Sequence, residues 1–201
     1  MTDPARFIER IKNDGVTVLN TTPSWLAALE KPDPAAIRLI ISGGEPSRAE
    51  DMRHYLKRGL WWANCYGPTE ASVCAAYRLY RPQDTLDGMT LGKPVAGMKI
   101  QILDERGQTL PPGIPGEIVL SGPGVAVEIS GHVPETDETG ARRYRTGDRG
   151  HWNQAGELVF DGRMDNELKL RGFRIHPEEI RQALLARPGV KDAAVGLRGQ
   201  A

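Results

Sequence analysis

The sequence predicts an α/β chain in three parts. These are a partial α/β layered part over residues 1–90, a small β-barrel-like part over 91–163, and the beginning of a further α+β part over 164–201. Three observations predict this division. Apolar runs alternate with helix signals at short spacing as far as Ala63, the pattern of a largely parallel sheet with helices layered on it. Beyond about Thr90 the chain turns into short apolar runs split by glycine and proline, the texture of a small barrel or sandwich. A helix signal returns only at Pro177.

The first part begins with Asp3-Pro4, a capping residue followed by proline at the first helical position. Phe7, Ile8 and Ile11 then share one helical face. Val16 to Leu19 reads as a buried strand, and Thr22-Pro23 opens a second helix carrying Trp25, Leu26 and Leu29. Ile37 to Ile41 is a strand broken by Gly43-Gly44. Ser47 and Glu50 form a capping box before a helix with Met52, Tyr55 and Leu56. Leu60 to Ala63 is a third strand. In the second part, Met98–Leu103, Glu117–Leu120, Tyr144–Asp148 and Leu158–Phe160 read as strands. Glu167–Leu170 and Phe173–Ile175 form a last strand pair, Pro177 starts a helix to about Ala186, and Val190–Val195 reads as a closing strand.

Composition narrows the function. There are 26 Lys and Arg against 26 Asp and Glu, so bulk charge recruits neither nucleic acid nor an anionic membrane. Met1 to Gly15 lacks the apolar run of a signal peptide, and no stretch is long and apolar enough to span a bilayer. A cytoplasmic setting follows, with Cys65 and Cys74 as free thiols. The chain carries no Gly-x-x-x-x-Gly-Lys-Ser/Thr loop and no Gly-x-Gly-x-x-Gly turn. Its four histidines do not space as metal ligands with the two cysteines.

Three segments carry candidate chemistry. In Asn64-Cys65-Tyr66-Gly67-Pro68-Thr69-Glu70 a sharp turn follows a strand. It presents an aromatic face able to stack a purine and a carboxylate able to hold Mg²⁺ beside phosphates. The same residues suit a plain surface turn with a capping Thr. In Tyr144-Arg145-Thr146-Gly147-Asp148 the Asp is placed to accept from sugar hydroxyls, or equally to bond its own backbone in a hairpin. Gly162-Arg163-Met164-Asp165 and Lys169-Leu170-Arg171-Gly172-Phe173-Arg174-Ile175 gather cations that could face a triphosphate or simply solvent.

In this order, and joined by Gly116-Glu117-Ile118-Val119-Leu120-Ser121-Gly122, these segments resemble the adenylation domains of nonribosomal peptide synthetases. Those domains belong to the wider superfamily of acyl-CoA synthetases and luciferases. The resemblance covers nearly the whole chain and implies ATP and Mg²⁺ as cofactors. A carboxylate or amino-acid substrate is joined to AMP, and the acyl group passes to the phosphopantetheine thiol of a carrier protein. It implies that Tyr66 stacks on adenine with Gly44, Glu45, Asn64 and Gly67 near the base. Thr69 and Glu70 serve the phosphates and Mg²⁺, with Glu70 the candidate metal ligand. Asp148 holds the ribose hydroxyls and Arg163 lies near the ribose and phosphates. Asp165 matches the hinge of the small C-terminal subdomain, with Lys169 and Arg174 as contacts of the hinged region. By position, Asn20, Ile40, Ser42, Cys65, Val73 and Cys74 line a small, mostly apolar substrate slot.

Departures temper the activity expected. The family's phosphate-wrapping loop belongs upstream of Met1, and its C-terminal catalytic lysine belongs beyond Ala201. Ala126-Val127-Glu128-Ile129-Ser130 replaces an Ala-Arg-Gly-Tyr-Leu-like run, and Arg149 stands where Leu is usual. The isolated chain is therefore expected to be inactive. It is read as part of an adenylation domain, with two alternatives: a non-catalytic remnant serving as a structural platform in a synthetase, or a fragment of an acyl- or aryl-CoA ligase. An exposed sheet edge favours association with the remaining synthetase domains, another chain or a second copy.

Overall fold

A computed structural model of the chain describes residues 3–29, 36–86, 88–129, 133–164, 168–170, 173–175 and 177–196. Its first helix, α1 (Pro4–Asn13), starts where Asp3 Oδ1 accepts the Ala5 amide at 2.9 Å. Strand β1 (Val18–Thr21) leads to α2 (Pro23–Ala28), capped by Thr22 Oγ1 accepting the Trp25 amide at 3.3 Å. Then come β2 (Leu39–Ser42), α3 (Ala49–Leu56), β3 (Trp61–Tyr66), β4 (Ala76–Tyr80) and the short β5 (Lys93–Pro94). They form one sheet in the order β1-β2-β3-β4-β5. The first two pairings are parallel and the last two antiparallel.

The two faces of this sheet differ. Leu19, Ile40, Trp62 and Tyr80 stand side by side across the strands. They join Ile11 of α1, Leu26 of α2 and Met52, Tyr55 and Leu56 of α3 in one buried core. Each large side chain buried there contributes roughly 1.5–3 kcal/mol. The opposite face carries Val18, Trp61, Tyr77 and Leu79, with Trp61 40% and Tyr77 47% exposed. Of the two tryptophans that open β3, Trp61 is exposed, whereas Trp62 is buried against Tyr55.

The β-rich part is an antiparallel meander of β6 (Lys99–Leu103), β7 (Gly116–Ser121), β8 (Arg143–Trp152) and β9 (Leu158–Arg163). Its core of Ile100, Ile102, Ile118, Leu120, Val125 and Leu158 also takes in Tyr66, Ala75 and Ala76 from the first sheet. Beyond it lie a hairpin of β10 (Leu168–Leu170) and β11 (Phe173–Ile175) and then α4 (Pro177–Leu185).

Two local expectations are corrected. No capping box forms at α3: its N-cap is Arg48 without a side-chain bond, because Ser47 turns inward and donates to Asn64 Oδ1 at 2.9 Å. The buried amide competes for the hydroxyl more strongly than the helix end, which water can serve. Val190–Val195 forms no strand, since no described strand pairs with it. Arg181 instead binds the segment, Nε donating to the Ala193 carbonyl at 3.0 Å.

Candidate functional site: a Tyr66–Asp148–Arg163 cradle

The motif turn begins where β3 ends. Gly67 is required there, because a Cβ would sit 2.7 Å from the Ala75 nitrogen and the Val73 oxygen. The turn leaves Tyr66 as the last residue of the strand, aimed at the second sheet. Its hydroxyl donates to Asp148 Oδ2 at 2.6 Å, a bond spanning 82 residues of sequence.

The other half of the cradle comes from β8 and β9. Asp148 and Arg163 face each other in register, and Arg163 Nη1 donates to Asp148 Oδ1 and to the Thr146 carbonyl, both at 2.8 Å. Thr146 Oγ1 in turn donates to the Ile118 carbonyl at 2.7 Å and accepts the Asp148 amide at 3.0 Å. Gly147 takes a φ of 68° and gives its amide to Glu117 Oε1 at 3.2 Å, while Glu117 also pairs with Arg145. The Tyr-Arg-Thr-Gly-Asp run is thus a strand with a built-in kink, locked from the neighbouring strand. Asp148 is only 2% exposed and Tyr66 8%. Burial, with the carboxylate beside it, pushes the Tyr66 phenol well above its ordinary range, so the hydroxyl keeps its proton and donates.

Residues 1–128 match the AMP-binding enzyme family. The chain belongs to that family. It is adenylation-domain sequence of the nonribosomal peptide synthetase type. It is 38% identical over 215 residues to a probable non-canonical nonribosomal peptide synthetase, CymA, of Salinispora arenicola, covering 98% of this chain and 3% of that protein. Bacitracin synthase 2 of Bacillus licheniformis is 36% identical over 199 residues, covering 94% of this chain and 8% of that protein. Among solved structures, PA1221, a nonribosomal peptide synthetase protein containing adenylation and PCP domains, superposes with a TM-score of 0.87 at 29% identity. The match covers all of this chain and 44% of that one.

Within this chain the remaining motif residues are distributed as follows. Thr69 and Glu70 stand on a single 3₁₀ turn, Thr69 exposed and Glu70 half-buried, with the Glu70 carbonyl accepting the Ala126 amide at 2.9 Å. The segment that departs from the family pattern therefore rests on the motif turn. Gly44 is exposed with φ 81°. The Glu45 carboxylate accepts from the Ser24 amide and hydroxyl, both at 3.0 Å, at the start of α2. Asn64 stands on β3 two residues before Tyr66. It is buried, its Oδ1 accepting from Ser47 and its Nδ2 donating to the Thr90 carbonyl at 2.9 Å, so both ends of the amide are engaged inside the fold. Asp165 lies outside the described residues. Lys169 and Arg174 are partners across the β10–β11 hairpin.

The substrate slot also needs correction. Ile40 and Ser42 are buried on the helix-covered face, while Asn20 and Cys65 stand on the opposite one. Strand alternation explains it, since a shift of one residue changes the face. The strand neighbour on the face of Asn20 and Cys65 is Ile41, in register with Asn20 and Ala63. Gly43 follows on the same side, where a Cβ would meet Cys65 Cβ at 3.3 Å. Val73 is 71% exposed and Cys74 half-buried. Sequence reasoning also missed a buried polar chain between the two sheets. It runs from Asn64 through the Thr90 backbone to Tyr80, and from Thr90 Oγ1 to Glu157 Oε2 at 2.9 Å, where Arg78 also binds. Its one sequence signal was Glu157 next to an apolar strand.

Proposed function

We propose that this chain supplies nucleoside and acyl contacts of an amino-acid adenylation domain. In that reaction a carboxylate oxygen attacks the α-phosphorus of ATP, the bond to the β-phosphate oxygen breaks, and pyrophosphate leaves. The acyl group then passes from AMP to the phosphopantetheine thiol of a carrier protein. The observation that carries the reading is the meeting of Tyr66 with Asp148 across two sheets. An ionised carboxylate offers about four lone-pair sites. Tyr66 and Arg163 occupy two and hold the group in place, leaving acceptor capacity for a ribose diol. Because Asp148 is almost closed to solvent, the sugar reaches it by displacing the Tyr66 hydroxyl, which frees the ring to cover the base.

Mg²⁺ suits this chain only as an ion brought with the phosphates. Among the described residues no three carboxylates, cysteines or histidines cluster as a cage, and Glu70 is the single acidic side chain on the motif turn. Bound there, the ion neutralises charge developing on the phosphates. The slot for the substrate side chain is assigned to Asn20, Ile41 and Cys65, with Gly43 giving it depth. The open apolar sheet face is assigned to the remainder of the same domain, since the chain spans 44% of the solved chain it matches. Cytoplasmic residence stays part of this proposal; no helix among the described residues is long and apolar enough to cross a membrane.

The test is ATP–pyrophosphate exchange by the synthetase module that contains this chain, with each proteinogenic amino acid in turn. Exchange above background for one amino acid, falling about 10- to 100-fold in Asp148→Asn as a hydrogen bond to a charged group is lost, supports the reading. Background exchange with every amino acid, from a folded module, contradicts it.

A further inference from the structure

The pairing of β7 with β8 is irregular at the cradle. Glu117 pairs with Arg149 and Val119 with Arg145, so Ile118 alone stands opposite Thr146, Gly147 and Asp148. A bulge of this kind bends the strand, re-aims a side chain and breaks the ladder of backbone hydrogen bonds. The re-aimed side chain here is the Asp148 carboxylate, which meets Tyr66 and Arg163.

Side chains replace the missing ladder bonds. Thr146 Oγ1 serves the Ile118 carbonyl and the Asp148 amide, at 2.7 Å and 3.0 Å. The Gly147 amide donates to Glu117 Oε1 at 3.2 Å, and the Gly147 carbonyl accepts the Met164 amide at 2.8 Å. Glu117 is itself fixed. It is 7% exposed, and its Oε2 accepts from Arg145 Nη2, at the last regular pair before the bulge. With one oxygen held by a guanidinium, the other keeps a set direction towards Gly147. That matters because Gly147 stands at φ 68°. Glycine enters either hand of φ with similar ease, so the residue does not hold this conformation by itself. Its bonds hold it, and the one made by a side chain is the bond to Glu117.

We propose that Glu117 is a positioning residue for nucleoside recognition. It fixes the Gly147 kink and, through it, the direction of the Asp148 carboxylate. It acts through the Gly147 amide and not on the nucleotide. The proposal rests on the adenylation reading, in which Asp148 accepts from the ribose hydroxyls. Without Glu117, Gly147 samples other conformations, and only the fraction with Asp148 correctly aimed binds the sugar. Apparent affinity falls by that fraction. A hydrogen bond to a charged acceptor corresponds to about a tenfold population ratio, so AMP binding weakens about tenfold. A nucleotide without the two sugar hydroxyls gains nothing from Asp148 and loses nothing.

The test is calorimetric titration of AMP and of 2′,3′-dideoxy-AMP into the synthetase module that contains this chain. Circular dichroism and urea unfolding establish that each variant is folded. Glu117→Ala removes the acceptor. Glu117→Asp keeps the charge beside Arg145 but retracts it by one methylene from Gly147, a milder change should the alanine variant not fold. Glu117→Gln keeps an oxygen for the Gly147 amide. The alanine and aspartate variants should bind AMP about tenfold more weakly with dideoxy-AMP unchanged, and the glutamine variant should retain the preference for AMP. A merely structural role weakens both nucleotides alike. The proposal is overturned by a folded Glu117→Asp with the full preference, by equal losses for the two nucleotides, or by Glu117→Gln as impaired as Glu117→Ala. Equal binding of both nucleotides by the unaltered module overturns the adenylation reading and this proposal with it. The unaltered protein therefore tells the two failures apart.

Discussion

Removing the Tyr66 hydroxyl tests whether its bond to Asp148 clamps the two sheets together. Tyr66→Phe deletes one donor and keeps the ring in its core of Ala75, Ala76, Ile100 and Ile102. The lost bond is 2.6 Å long, buried, and made to a carboxylate, so its loss costs about 1.5–3 kcal/mol. Asp148→Asn removes the negative partner of Arg163 from a nearly closed site, which costs up to about 3–5 kcal/mol. In the double variant the hydroxyl has already lost its charged partner. The two single costs therefore exceed the double by about 1.5–3 kcal/mol. Urea unfolding followed by tryptophan fluorescence measures all four corners of the cycle. A coupling below about 0.5 kcal/mol, the level of independent sites, refutes the clamp.

Two further outcomes follow from the same geometry. Burial raises the phenol of Tyr55 from 10.0 to about 12 and that of Tyr66 further still. For a folded-state value raised above the unfolded one, stability is complete below the unfolded value and declines as pH rises through the folded one. Stability should therefore hold to about pH 10 and fall above it, less steeply in Tyr66→Phe, as urea midpoints across pH 8–12 check. At the inter-sheet bridge, Gly92 has φ 73° and a Cβ there would lie 2.1 Å from the Tyr77 oxygen, so Gly92→Ala must shift backbone. A loss above about 3 kcal/mol, or a Tm fall above roughly 6 °C, is expected in calorimetry; an unchanged Tm contradicts the packing.

Much of this was legible in the residues. Asp3-Pro4 and Thr22-Pro23 mark helix starts because cap and proline act locally, within one turn. The cradle residues were legible because the glycine turns at Gly67 and Gly147 need particular residue types. What was hidden depends on distant pairing. The run Leu39-Ile40-Ile41-Ser42 is apolar on both faces, as inner parallel strands are, so nothing in it says which side faces the helices. Only its register with β1 and β3 fixes Ile41 beside Asn20 and Ala63. Ser47 gave a sound capping signal, yet its hydroxyl went to Asn64, a residue 17 positions away. The left-handed Ser72–Val73 pair was illegible for a similar reason: it is imposed by bonds to Pro68 and Gly124 against the preference of valine.

In the proposed function Tyr66 and Asp148 cradle one nucleoside. Calorimetric titration of AMP and of 2′,3′-dideoxy-AMP into the module that contains this chain tests it most directly, beside the folded Asp148→Asn variant. AMP should bind about 10- to 100-fold more tightly than the dideoxy compound, and that preference should vanish in the variant. Equal binding of the two nucleotides by the unaltered protein, or a preference that survives in Asp148→Asn, contradicts the account.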